Sequence, residues 1–202
     1  LATSTALSEY YVEDLITPLE VIKVLNEAGV KFMLVGAHGL GGWMKDPRAT
    51  QDVDVLVAMR SQKKAVKALL TAFPHLEAED HPVVIRFLDK ATREVRIDVM
   101  KPNQELFRDA LKHAETVQTK GHVYRIPSLE MAITMKFAPM ISLNRSDEDK
   151  YIDAHDFITI VKRNPNIDLD KLAVLGDLVY PGGGKEIVEK VRQVRAGEKL
   201  SL

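Results

Sequence analysis

Residues 32–57, FMLVGAHGLGGWMKDPRATQDVDVLV, constrain this chain more than any other stretch. An apolar run ends at Gly36, and a glycine-rich segment leads through Pro47-Arg48-Ala49-Thr50 into Asp52-Val53-Asp54. Side chains two apart on a strand point to the same face, so Asp52 and Asp54 share one. Two carboxylates on one face beside a glycine-rich turn can hold a divalent cation against phosphate groups.

The chain has 202 residues, 46% hydrophobic and 28% charged, the composition of an ordinary globular protein. That length accommodates one domain, or one domain with a helical extension, and buries a sizeable core without staples. Cysteine is absent, which excludes disulfides and thiolate metal sites and fits a reducing cytoplasm. The apolar runs are too short to cross a membrane, and LATSTALSEYYVEDL lacks the basic region and apolar core of a signal peptide. The formal net charge of -1 gives no support to a nucleic-acid substrate held through phosphate contacts.

Apolar periodicity predicts a helix over residues 17–28, with Pro18 in its first turn and Gly29 as its stop. A buried strand follows over 31–36, then a short helix or turn over 38–45 and a second strand over 53–57. A helix over 62–73 is capped by Ser61. Two strands, 83–88 and 94–100, flank the turn Asp89-Lys90-Ala91-Thr92. In the second, Val95, Ile97 and Val99 alternate with Glu94, Arg96 and Asp98, which puts Asp98 on the face opposite the apolar residues. A helix over 103–115 and a strand over 122–126 follow. Beyond Pro127 the pattern is helical throughout, over 128–142, 147–163, 169–179 and 185–195, the first opening at Ser128 in capping fashion. The expected fold class is α+β: a mixed sheet flanked by helices over 1–126, and a helical subdomain over 127–202 packed on it.

Three groups of residues could carry chemistry. The first is Asp52, Asp54 and Asp98. Nucleotidyl transfer uses two magnesium ions, about 3.5–4 Å apart, held largely by carboxylates. Asp52 and Asp54 suit the ion that clamps a triphosphate. Asp98, from a neighbouring strand, suits the second ion and the proton of an attacking hydroxyl. A DxD alone reads as a solvated strand; the preceding glycines and the third carboxylate turn the reading towards catalysis. The second group is Gly36, Gly39, Gly41 and Gly42, which let backbone N–H groups approach phosphate or simply make a tight turn. Arg48, Thr50 and His38 lie beside it. The third is Lys136, Arg145, Asp147, Lys150, Asp153 and Asp156. Lys136 sits among Met131, Ile133, Met135 and Phe137, where a directed phosphate contact competes with snorkelling. Gly182-Gly183-Gly184-Lys185 lacks the spacing of a phosphate loop and has Glu186 where Ser or Thr is required, so it reads as a flexible turn between helices.

The run VGAHGLGGWMKDPRATQDVDVLV resembles the first motif of the DNA-polymerase-beta-like nucleotidyltransferase superfamily, closest to the AbiEii-type toxin-like group. EVRIDVM resembles that family's third-carboxylate strand, IPSLEMAITMK its helix with a nucleotide-binding lysine, and NRSDEDKYIDAHDF its Arg…Lys-x-x-Asp region. The strand ends in Gly36-Ala37 where the wider superfamily has Gly-Gly or Gly-Ser, and Gly41-Gly42 offers a second pair. The resemblance implies a mixed sheet flanked by helices, Mg2+, and transfer of a nucleoside monophosphate from an NTP to a hydroxyl acceptor, either a tRNA 3′ end or a small molecule. It implies catalytic and metal-binding roles for Asp52, Asp54 and Asp98. It implies nucleotide-binding roles for Gly36, Ala37, His38, Arg48, Thr50, Lys136, Arg145, Lys150 and Asp153. A cytoplasmic toxin with an antitoxin partner is the expected context. The rivals are an antibiotic-type small-molecule enzyme and a non-catalytic nucleotide-binding module.

Overall fold

The computed structural model describes residues 15–44, 50–119 and 121–200. Helix α1 (Pro18–Glu27) starts at a capping box: the Thr17 hydroxyl accepts from the Glu20 N–H, and the Glu20 carboxylate accepts from the Thr17 N–H. Pro18 occupies the first turn, where a missing N–H costs nothing. Gly29, at φ +59°, turns the chain out of the helix into β1 (Phe32–Leu34). A short helix α2 (Gly36–Gly39) and one 3-10 turn (Leu40–Gly42) follow, then β2 (Val53–Val57) and α3 (Gln62–Ala72).

Strands β3 (Leu76–Asp80), β4 (Val84–Asp89) and β5 (Val95–Met100) complete a five-stranded sheet of order β1-β2-β5-β4-β3. The β2–β5 pair is parallel and the other pairs are antiparallel, so the sheet is mixed. The chain continues through α4 (Glu105–Lys112) and the antiparallel ribbon of β6 (Glu115–Thr119) and β7 (His122–Ile126). It ends in α5 (Leu129–Met140), α6 (Asp147–Arg163), α7 (Leu169–Asp177) and α8 (Gly183–Ala196). This is the expected α+β class, a mixed sheet flanked by helices. No described helix is long and apolar enough to cross a membrane.

Alternation along β2 divides the core. Val53, Val55 and Val57 join Val21, Ile22 and Leu25 of α1 and Ala65 and Leu69 of α3. Leu56, with Met33 and Val35, packs on the other face against Leu106 and Ala110 of α4, Met131 of α5 and Leu175 of α7. A third apolar cluster, including Phe137, Phe157, Leu172 and Ile187, holds the last four helices together. Helix α5 lies between these last two clusters and buries both its sides, which is why its apolar residues show no clean stripe. Its buried Glu130 bonds the Asp168 N–H at 3.2 Å and pairs with Lys171 at 2.8 Å, tying α5 to the start of α7.

Five local expectations change. Strands β3 (LEAED) and β6 (ETVQT) are too polar to announce themselves. One is the edge strand of the sheet and the other pairs only with β7, so backbone pairing rather than burial defines them. Ser61 and Ser128 make no side-chain capping hydrogen bond: α3 is entered through a 3-10 turn, Met59–Ser61, in which Ser61 is already helical. Gly183 and Gly184 are not a flexible turn. They open α8, and a Cβ on either would collide with a backbone oxygen of α7, from Gly176 or Ala173, so they permit the close α7–α8 crossing.

Candidate active site

Strand register assembles the site. Asp54 stands opposite Asp98 across the parallel β2–β5 pair, and Arg86 stands opposite Asp98 across the antiparallel β5–β4 pair. The Val35 N–H donates to the Asp54 carbonyl at 2.9 Å, which brings the end of β1 alongside. The next residue, Gly36, has φ +58°, and a Cβ there would overlap the Asp54 carboxylate. Only glycine meets both demands. Asp52 enters just ahead of β2, its Oδ1 accepting a short hydrogen bond from the Thr50 hydroxyl. One carboxylate oxygen from each of Asp52, Asp54 and Asp98 lies within 4.8 Å of the others.

The donor set suits a hard divalent cation. All three residues offer oxygen, and Asp98 Oδ1 is buried without a hydrogen-bond partner; the Arg86 Nε stands 3.7 Å away. Burial pushes the Asp98 carboxyl up to about 6, with Arg86 drawing it down, Asp52 adding to the rise, and His81 drawing it down. The sign of the linked stability follows. A carboxyl raised from 3.8 to about 6 binds its proton more tightly in the fold, so its contribution is largest below pH 4, falls as pH rises to 6, and is flat above. Metal-free Asp98→Asn is therefore expected to match the parent's melting temperature at pH 4. At pH 8 the variant should be the more stable, by about 1–2 kcal/mol after solvent screening. Melting curves across that range test this; an equal effect at both values contradicts it.

The carboxylates open into a cleft of about 670 Å³. Gly36, Asp52, Asp54, Asp98 and Arg86 line its sheet side, and Lys136, Arg145, Asp149 and Asp153 its helical side. Lys136 is neither extended into solvent nor free. Its ammonium sits 3.0 Å from Asp153 Oδ1 and 2.8 Å from Asp156 Oδ2, and the Arg145 Nε donates to Asp153 Oδ2 at 2.7 Å. A lysine buried in an apolar helix needs such counter-charges. The other described residues named from the sequence do not line the cleft. Ala37 is buried beneath the glycine turn, and His38 and Thr50 are half-buried and outside the cleft lining. Lys150 pairs with Asp147 at 3.8 Å on the surface of α6 and is also absent from the lining. Arg48 lies outside the described residues.

Sequence reasoning missed Arg86, Lys101, Asn103 and Gln104, all in the cleft wall. Arg86 carried a signal: it is the single charge in the apolar run Val83–Leu88, VVIRFL. The other three follow β5 directly and had none.

No family model matches the sequence, and no curated protein matches it. Solved structures do. The lincosamide antibiotic adenylyltransferase LnuA, in its lincomycin-bound form, is 15% identical with a TM-score of 0.50, covering 73% of this chain and 99% of its own. JHP933 from Helicobacter pylori is 17% identical with a TM-score of 0.50, covering 89% of this chain and 92% of its own. These similarities show a shared fold, the one on which the adenylyltransferase LnuA is built.

Proposed function

We propose that this chain is a magnesium-dependent nucleotidyltransferase that moves a nucleoside monophosphate from an NTP to a hydroxyl acceptor. The observation that carries the proposal is the meeting of Asp52, Asp54 and Asp98 at a cleft, with Gly36 packed against Asp54. Asp52, Asp54 and Asp98 would hold the magnesium beside the triphosphate. Bound magnesium supplies neutralising charge and acidifies the acceptor hydroxyl.

Asp98, on the strand beside Asp54, takes the hydroxyl proton. The freed oxygen forms a bond to the α-phosphorus, the bond from that phosphorus to the bridging oxygen breaks, and pyrophosphate leaves with the electron pair. Thr50 fixes the rotamer of Asp52. Arg145, exposed at the cleft and steered by Asp153, meets the departing phosphates. Lys136 acts at one remove, holding Asp153 in place.

An AbiEii-like toxin, working in the cytoplasm on a tRNA 3′ end and restrained by an antitoxin, is the context that the sequence motifs support. LnuA, on the same fold, is an antibiotic adenylyltransferase seen with lincomycin, and a small-molecule acceptor is the second reading.

Three carboxylates repel a bare triphosphate, and magnesium reverses that sign. Nucleotide at about 100 times its dissociation constant should add about 2.7 kcal/mol to the native state. For a chain of this length that is a melting shift of about 5–10 °C. A thermal-shift series over four NTPs, with magnesium and with EDTA, tests the proposal. Equal shifts in both conditions, or none, would leave the non-catalytic module as the better account.

A further inference from the structure

We propose that Arg86 recognises the acceptor, and that the acceptor is a hydroxyl compound carrying a phosphate. This rests on the nucleotidyltransferase reading and adds to it the substrate class.

Strand order lays the groups out in a line across the sheet: Gly36 at the end of β1, Asp54 on β2, Asp98 on β5 and Arg86 on β4. In-line displacement puts the leaving pyrophosphate and the attacking oxygen on opposite sides of the reacting phosphorus. With the triphosphate on the glycine side, the acceptor hydroxyl arrives from the Arg86 side. There the described lining includes Arg86, Met100, Lys101, Asn103, Gln104 and Phe107, and on that side it holds no carboxylate beyond Asp98.

Arg86 is available for recognition. Its side chain is 49% exposed, and its guanidinium stands 3.7 Å from Asp98, beyond hydrogen-bond reach. The guanidinium donates no hydrogen bond to another described residue, and its ion-pair neighbour is Asp98. Glu79, its cross-strand neighbour on β3, is engaged by Arg93 and lies 3.5 Å from His81. Lys101 is held by Asp80 and the His81 carbonyl. A guanidinium fork matches phosphate bidentately. A phosphate beside the acceptor hydroxyl gains an ion pair with Arg86, next to the group that takes the proton. Sugar phosphates, nucleotides and polynucleotide ends share this chemistry.

The test fills the donor side first, with magnesium and the α,β-methylene analogue of the NTP that gives the largest melting shift. Adenosine, adenosine 5′-monophosphate and an RNA trinucleotide are then titrated by calorimetry into the parent, Arg86→Gln and Arg86→Lys. The parent is expected to bind both phosphate-bearing probes about tenfold more tightly than adenosine, one charge-assisted contact. Arg86→Gln should bind all three alike, and Arg86→Lys should keep part of the preference. Tighter binding of the trinucleotide than of the monophosphate identifies a polynucleotide end as the source, and equal binding a small phosphate compound. Equal binding of adenosine and its monophosphate by the parent overturns the proposal. So does a preference that survives in Arg86→Gln, or displacement of the analogue by the monophosphate. If Arg86→Gln does not fold, an undiminished preference in Arg86→Lys overturns it. Failure of the donor reading registers separately, as the absence of any magnesium-dependent melting shift in the parent.

Discussion

Asp54→Asn is expected to cut nucleotidyl transfer by about a thousandfold or more, roughly 4 kcal/mol of transition-state stabilisation, while the fold is kept. Asp54 stands between the other two carboxylate positions, opposite Asp98 in register and two residues from Asp52 on the same face. Among the described residues, the acidic group that could hold a metal here is Asp52, Asp54 and Asp98. The amide has nearly the same shape, so the space left by the missing Gly36 Cβ stays filled. Removing one of three close negative charges relieves repulsion in the metal-free protein, so the melting temperature should hold or rise. Single-turnover transfer from an α-labelled NTP, beside a melting curve, separates the two effects. Unchanged turnover would show that Asp54 holds no metal; a collapsed melting temperature would give it a structural role instead.

What could be read from the sequence was the content of each element, and what could not was who neighbours whom. The alternation in VDVLV fixed which side of β2 carries Asp54, and the apolar valines confirm it by their burial. That β5 pairs with β2 in parallel, setting Asp98 against Asp54, depends on a crossover through α3, β3 and β4 that no local pattern encodes. Arg86 follows the same rule. Its charge stood out in an apolar run, but its place beside Asp98 arises only from the β4–β5 register. Strand β3 is an acidic edge strand whose pairing with β4 is settled by backbone hydrogen bonds, to which a hydropathy pattern is blind. Asp153 and Asp156, three apart in a predicted helix, share a face of α6, but that this face meets α5 is not written in the spacing.

That meeting makes Lys136→Met the second large expected effect, on stability rather than catalysis. In α5 the lysine is 7% exposed, and in α6 Asp153 is 2% and Asp156 1% exposed. Removing the ammonium takes from Asp156 its ion pair at 2.8 Å and from Asp153 one of its two, the one with Arg145 remaining. Breaking a buried pair by deleting one member costs about 3–5 kcal/mol, because the remaining charge must be neutralised or solvated in place. For a chain of this length, that is a melting loss of about 6–20 °C. Methionine keeps most of the lysine stem's volume, so lost packing contributes little. Replacing the acids as well isolates the electrostatic part: Lys136→Met with Asp153→Asn and Asp156→Asn should recover a large share of the loss, because the buried negative charges go with their partner. If Lys136 instead contacted phosphate directly, Lys136→Met would leave melting almost unchanged, weaken magnesium-dependent NTP binding, and gain nothing from the asparagines. Melting curves and NTP titrations on the single and triple variants distinguish the two cases, and a single variant that melts with the parent would remove the ion network from the account of this fold.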